Sequence, residues 1–165
     1  MKVLVIYYSW GGKTELVATS ISKILGASIK KIEEVKQRKG FFGFLSGGYS
    51  AFKGKGSSIK PLDINFNDYD LIFLGTPVWA SSPAPPINTF LSQADLTGKK
   101  IVLFVTMGGF GGEKTIEVMK EKIESKGGEV IASFMVKTGG KKPRDIVKEG
   151  EIIGRRFLDT EESKK

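Results

Sequence analysis

The residues best suited to chemistry form one short loop, Tyr8-Ser9-Trp10-Gly11-Gly12-Lys13-Thr14. It follows the apolar run 3–7, which is typical of a buried strand, and precedes a helical pattern that begins at Thr14. The first amide groups of a helix lack partners within the helix and lie at the positive end of its dipole. Two glycines would let a phosphate approach this backbone, with hydroxyl groups and a lysine beside it. The alternative is a plain turn between a strand and a helix.

The ending Gly12-Lys13-Thr14 also resembles a nucleotide P-loop, but the spacing argues against one. That motif requires a glycine five positions before Gly12, where this sequence has Tyr7. The later strand 71–74 ends in Gly75 and not in an aspartate that would hold magnesium. We therefore disfavour a P-loop NTPase.

Composition excludes several kinds of chemistry. The chain has 165 residues, which suits a single domain spanning 1–165, and it contains neither cysteine nor histidine. Disulfides, thiolate catalysis, zinc sites of the usual kind and imidazole acid–base catalysis are thereby excluded. Any demanding reaction must use a cofactor or carboxylates.

The net charge is +8, from 26 Lys+Arg and 18 Asp+Glu. This charge is either a lysine-rich solvated surface or a means of attracting an acidic partner. No nucleic-acid-binding module is visible, and no apolar run reaches the roughly 20 residues that cross a bilayer. Without a signal-peptide pattern at the N-terminus, we expect a cytoplasmic protein with no membrane or nucleic-acid partner.

Strand and helix patterns alternate along the chain. Periodicity predicts strands at 3–7, 27–35, 70–75, 101–106 and 129–137, and helices starting near residues 14, 87, 113 and 143, the last ending near Asp159. This alternation predicts an α/β fold in which a parallel sheet carries helices on both faces. The aromatic and glycine-rich segment 41–56 is either a short helix on the core or a flap over a ligand, with the flap slightly favoured. Residues 160–165 read as a frayed tail.

Three glycine- or proline-rich loops follow the first, third and fourth strands: 9–14, 76–86 and 106–112. In a parallel sheet these loops share the carboxyl edge, where ligands bind. The second loop presents an exposed-looking Trp79, and the third offers bare backbone and Phe110. A flat aromatic ring that carries a phosphate would use all three loops. Taken singly, Trp79 could be a lid on the core and the glycines a flexible turn.

These motifs identify a family resemblance. The first loop and the segment Gly75-Thr76-Pro77-Val78-Trp79 resemble the flavodoxins, within a group of FMN proteins that carry Gly-Thr-Pro-Val-Trp. The resemblance covers essentially the whole chain and implies a three-layer, doubly wound, five-stranded sheet with strand order 2-1-3-4-5. It implies FMN as cofactor and these contacts: the phosphate at Ser9, Trp10, Gly11, Gly12, Lys13 and Thr14, and the ring at Thr76, Pro77, Val78, Trp79, Ala80, Thr106, Met107, Gly108, Gly109 and Phe110.

The sequence departs from the flavodoxin pattern in two respects. Gly11 replaces a usual hydroxyl residue, and the acidic stretch and tyrosine of the third loop are absent, which leaves the second face of the ring unassigned. The leading hypothesis is an FMN protein that transfers electrons between partners, with an acidic, ferredoxin-like partner because the chain is cationic. The alternatives are an FMN-dependent NAD(P)H or quinone reductase, whose substrate slot could be lined by Ala80, Ser81, Ser82 and Ala84, and a binding module that has lost its flavin. The protein could be a monomer or a homodimer.

Overall fold

The computed structural model describes residues 1–36 and 40–162. Within them, helices and strands alternate as the sequence pattern predicts. The helices are α1 (Lys13–Leu25), α2 (Gly40–Phe52), α3 (Pro85–Gln93), α4 (Gly112–Glu124) and α5 (Pro143–Glu162), with a short 3-10 turn at Phe66–Asp68. The strands are β1 (Val3–Tyr7), β2 (Ser28–Lys31), β3 (Leu71–Trp79), β4 (Ser82–Pro83), β5 (Lys100–Met107) and β6 (Glu129–Lys137).

The sheet has the predicted topology. Its main path runs β2-β1-β3-β5-β6 with parallel pairing throughout, and the two-residue β4 pairs antiparallel with β3. Counting the parallel strands alone gives the order 2-1-3-4-5, which confirms the predicted flavodoxin-like arrangement. The weak strand β2 lies at the edge, as its lysine-rich sequence indicates, and each of its residues is exposed.

Helices cover both faces of the sheet. On one face, Leu4 and Ile6 of β1 belong to a buried cluster that includes residues of α3 and α4. On the other face, Val5 packs in a second cluster together with residues of α1 and α5. Because successive residues of a strand point to opposite faces, one continuously apolar strand supplies both cores.

Two glycines let α5 pack tightly against α1. A Cβ added at Gly150 would lie 2.7 Å from the Cβ of Ser20 and 2.8 Å from the carbonyl oxygen of Val17. A Cβ added at Gly154 would lie 2.8 Å from the Cβ of Ile24. The two helices therefore pack nearly backbone to backbone, which holds α1 firmly on the sheet.

The predicted loop 76–86 is wrong in its first part, because β3 continues to Trp79. Pro77 occupies a strand position opposite Thr106 of β5. Gly75 is the last residue of β3 that pairs with β1. Since alternate residues direct their backbone groups to opposite neighbours, Pro77 faces the side where β1 has ended. An N–H at this position would have had no neighbouring strand to bond to. Proline is tolerated in a sheet at such positions.

The rest of the segment 76–86 is also not a loop, because it forms a turn, the strand β4 and the start of α3. Ala80 and Ser81 form a turn with positive φ angles of 47° and 57°, after which β4 folds back onto β3. Helix α3 begins at Pro85, two residues before the predicted start at Ile87. Proline fits the first turn of a helix, where no N–H is needed.

The segment 41–56 contains the helix α2, which ends at Phe52. Its Ala51 is fully buried, so the helix packs onto the core in the way that one of the two sequence interpretations expected. Helix α5 continues through Glu162, past the expected end near Asp159, and residues 163–165 of the predicted tail lie outside the described residues. None of the helices in the described part of the chain is long and apolar enough to span a membrane.

Candidate functional site

A cavity of about 340 Å³ lies at the carboxyl edge of the sheet. Its volume falls in the range of about 300–1,000 Å³ that is usual for small-molecule sites. The residues that line it come from the loop after β1 and the start of α1, from the ends of β3 and β5, and from the segments that follow β5 and β6. They are Ser9, Trp10, Gly11, Lys13, Thr14, Pro77, Val78, Trp79, Thr106, Met107, Gly108 and Thr138.

The first loop presents open backbone at the start of α1. Gly12 takes a positive φ of 84° as the N-cap residue, and its N–H donates to Ser9 Oγ at 3.1 Å. Gly12 has no side chain that could cap the helix, so the first amide groups are not covered by the N-cap residue. A Cβ added at Gly11 or Gly12 would meet no atom of the described residues within 4 Å. The loop therefore leaves room for an anion at the positive end of the helix dipole.

Buried hydroxyl groups connect this loop to the neighbouring strand. Thr14 Oγ1 and Thr106 Oγ1 lie 2.8 Å apart, and both residues are buried. Lys13 Nζ donates to the carbonyl oxygen of Thr138 at 3.4 Å, which ties α1 to the segment after β6. These contacts hold the start of α1 in a defined position relative to β5.

Trp10 and Trp79 form one wall of the cavity, and Tyr8 packs against Trp79. The ring centroid of Trp79 lies 5.9 Å from that of Tyr8 and 6.3 Å from that of Trp10, both in edge-on geometry. Trp79 is only 6% exposed, so the expectation of an exposed Trp79 was wrong. The cause is α2, since a Cβ added at Gly47 would lie 2.5 Å from the Trp79 ring. Trp10, at 41% exposed, is the indole that is more accessible to a ligand.

The third loop is braced by the loop after β6. The N–H of Thr138 donates to the carbonyl oxygen of Met107 at 2.8 Å, and Thr138 Oγ1 donates to the same oxygen at 3.2 Å. A Cβ added at Gly139 would overlap the carbonyl oxygen of Gly108. In contrast, Cβ atoms at Gly108 and Gly109 would lie more than 4 Å from every neighbouring atom in the described part of the chain. One side of this loop is therefore packed and the other is open.

An ion pair lies beside the first turn of α1. Glu15, in the first turn of α1, accepts from Lys31 Nζ at 2.9 Å, and this bond lowers the pKa of the Glu15 carboxyl. Burial raises the pKa of the Tyr7 hydroxyl, which also donates to Glu15 at 3.1 Å. Because Lys31 offsets the charge of Glu15, the start of α1 stays favourable to an anion.

Most of the predicted site residues line the cavity, and five do not: Gly12, Thr76, Ala80, Gly109 and Phe110. Gly12 and Gly109 neighbour residues that do. The hydroxyl of Thr76 is fully buried, donating to Pro77 O and accepting from the N–H of Ala84, so it fixes the turn instead. Ala80 lies in the exposed turn after β3, and Phe110 is 86% exposed.

Sequence reasoning missed Thr138. It follows β6, so it lies at the same carboxyl edge as the three loops that were considered. The available signal was the end of the last predicted strand at Lys137, followed by Thr138 and two glycines. Any strand end at this edge can reach a shared ligand.

Comparison with known proteins identifies the family. Residues 53–142, more than half of the chain, match the family model described as Flavodoxin. The chain belongs to the flavodoxin family. The matched range includes the segments 76–86 and 106–112, while the loop at the start of α1 lies before it. Membership of the Gly-Thr-Pro-Val-Trp group stays a prediction.

Solved structures described as flavoproteins or flavodoxins share the fold. A flavoprotein from Lactobacillus acidophilus NCFM, solved in complex with FMN, is 27% identical with a TM-score of 0.71, covering 81% of this chain and 92% of that one. A protein from Bacteroides eggerthii DSM 20697 is 23% identical with a TM-score of 0.71, covering 96% of each chain. The flavodoxin of Megasphaera elsdenii is 22% identical with a TM-score of 0.59, covering 93% of this chain and 98% of that one. At 23% and 22% identity, the Bacteroides and Megasphaera structures show that the fold is shared.

Proposed function

We propose that this flavodoxin-family protein binds FMN noncovalently in the cavity at the carboxyl edge and transfers electrons between redox partners. The observation that carries the proposal is the meeting, in one cavity, of an open helix N-terminus and an aromatic wall. Family membership and the FMN complex of the Lactobacillus flavoprotein, which is 27% identical, support the choice of ligand.

The residues present fit the two ends of FMN. Open backbone at Gly11 and Gly12 suits the phosphate, with Ser9, Lys13 and Thr14 around it. Trp10 and the end of β3, from Pro77 to Trp79, would lie along the ring, and Thr106, Met107 and Gly108 would border its other edge. When bound, FMN supplies reversible electron transfer, while the protein sets its potential through packing and charge.

The phosphate end of the proposal has a direct test. Riboflavin lacks the phosphate, so wild-type protein should bind FMN at least about tenfold more tightly than riboflavin, given charge-assisted bonds worth about 1.5–3 kcal/mol each. Gly11→Asp would place a negative charge in the open space beside the phosphate and should weaken FMN binding while sparing riboflavin. Gly11→Asn has nearly the same shape without the charge and serves as the matched control. Equal effects of both variants on FMN would place the phosphate elsewhere.

The net charge of +8 supports an acidic redox partner such as a ferredoxin-like protein. If charge steers the encounter, the rate of flavin reduction by an acidic donor should fall as salt rises. A rate that is independent of salt would rule out steering.

Anaerobic mixing with NADPH tests the remaining alternatives. Prompt bleaching of the flavin would identify a reductase and displace the electron-carrier proposal. Purified protein that is colourless and takes up no FMN would identify a binding module without flavin. A stable flavin spectrum with slow reduction by NADPH is the result that the proposal expects.

A further inference from the structure

The positive charge of this protein is concentrated in one segment. Between residues 35 and 62 the sequence contains no aspartate or glutamate. The same segment contains six basic residues: Lys36, Arg38, Lys39, Lys53, Lys55 and Lys60. Since the whole chain has 26 Lys+Arg and 18 Asp+Glu, the rest of it holds 20 and 18, which nearly cancel. The net charge is therefore a local feature and not a general property of the surface.

Helix α2, which lies within this segment, contains no charged residue. Two small residues of the helix face inward, since Gly47 abuts the Trp79 ring and Ala51 is fully buried. Its outer face carries large apolar side chains that are half exposed or more: Leu45 at 50%, Tyr49 at 61% and Phe52 at 67%. Their spacing of four and three residues places them on one stripe of the helix.

Basic residues flank α2 on both sides in the sequence. Lys36 precedes the helix, and Lys53 and Lys55 follow it, all with exposed side chains. Lys55 Nζ lies 5.9 Å from the ring centroid of Tyr49, so a cation sits directly beside the apolar stripe. Lys60, by comparison, is paired with Glu33 at 2.6 Å. The surface formed by Leu45, Tyr49, Phe52 and the flanking lysines is called here the α2 surface.

The positive charge and the exposed apolar side chains of the α2 surface indicate what kind of partner it binds. A second copy of the same surface would bring like charges together, so self-association is disfavoured. The 13-residue helix is too short to cross a bilayer, which needs about 20 residues. An outward apolar stripe with lysines beside it is, however, the arrangement of helices that lie in the plane of a membrane interface. Lysines near such a surface are attracted to anionic headgroups.

We propose that the α2 surface binds peripherally to anionic lipid membranes, with Leu45, Tyr49 and Phe52 inserted among the headgroups and Lys53 and Lys55 on the lipid phosphates. This proposal replaces the expectation of no membrane contact, which rested on the lack of a spanning segment. Because α2 packs on Trp79 and Trp79 lines the cavity, binding would place that cavity close to the lipid surface. The proposal does not depend on the identity of the cavity's ligand.

Sedimentation with vesicles tests the proposal. Wild-type protein should bind vesicles made of equal parts phosphatidylglycerol and phosphatidylcholine, should not bind phosphatidylcholine alone, and should be released by salt. Lys53→Gln with Lys55→Gln should weaken binding about 25-fold, at about fivefold for each lysine. Tyr49→Ser with Phe52→Ser should weaken it about tenfold or more, because apolar insertion is lost.

Matched controls lie on α5, which packs on the other face of the sheet. Ile152 is 50% exposed and Lys148 is exposed, so Ile152→Ser with Lys148→Gln should leave vesicle binding unchanged. Thermal melting of each variant establishes that the fold is kept. Equal binding by the α2 variants and wild type, or equal binding to neutral vesicles, would overturn the proposal. It would also fail if wild type ignored anionic vesicles but bound an acidic protein such as a ferredoxin through the α2 surface.

Discussion

The two tryptophans of the cavity should have separable roles. Trp79 is 6% exposed and packs against Tyr8, Trp10 and α2. Replacing a buried tryptophan by alanine costs about 3–5 kcal/mol of stability. At about 2–4 °C for each kcal/mol in a chain of this size, Trp79→Ala should lower the melting temperature of the flavin-free protein by about 6–20 °C.

Trp10→Ala should act mainly on ligand binding. The Trp10 side chain is 41% exposed, against 6% for Trp79, so Trp10→Ala should cost less stability than Trp79→Ala. Losing a ring that packs against the flavin should cost about 1–3 kcal/mol of affinity, which raises the FMN dissociation constant about 5- to 150-fold.

The assay is a titration of flavin fluorescence with flavin-free protein, paired with thermal melting of the same preparations. Trp10→Phe and Trp79→Phe are the controls, since each keeps an aromatic ring in place. The separation of roles between the two tryptophans is refuted if Trp79→Ala melts within about 2 °C of wild type. It is equally refuted if Trp10→Ala binds FMN within about twofold of wild type, because the ligand then does not use this wall.

Three further predictions concern the framework of the site. Thr14→Val should destabilise the flavin-free protein by about 1–3 kcal/mol in urea unfolding, since Thr106 loses its buried partner, and adding Thr106→Val should recover part of that loss. Gly150→Val should cost about 2–3 kcal/mol by forcing α5 away from α1, and unchanged stability would mean that the helices adjust freely. Because burial raises the pKa of Tyr7, the unfolded state loses its proton first above about pH 10, so stability should fall there as pH rises, and Tyr7→Phe should flatten that fall.

The sequence predicted the elements that are apolar and regular. The strand at 129–137 was placed with its observed bounds, and the parallel order followed from the alternation of strands and helices. The end of β3 was placed too early because Pro77 reads locally as a strand breaker. Only the sheet shows that β1 has ended on the side that Pro77 faces, so this error came from tertiary context.

The candidate site was predicted in position but not in detail. The shared carboxyl edge located three of the segments that line the cavity, since strand ends in a parallel sheet must meet there. The burial of Trp79 depends on the packing of α2 against it, through Gly47, which no local pattern specifies. Thr138 was missed because a single hydroxyl after a strand carries no distinctive signal.

The close crossing of α5 over α1 has a consequence for how a ligand would enter. Gly150 and Gly154 fix the far side of α1, so the amide groups at its start are already aligned before any anion arrives. No segment of α1 has to become ordered, and association should be set by diffusion and charge instead of by a slow rearrangement. Substitutions on α5 that loosen its packing on α1 should therefore shorten the time that a ligand stays bound, although no described residue of α5 lines the cavity.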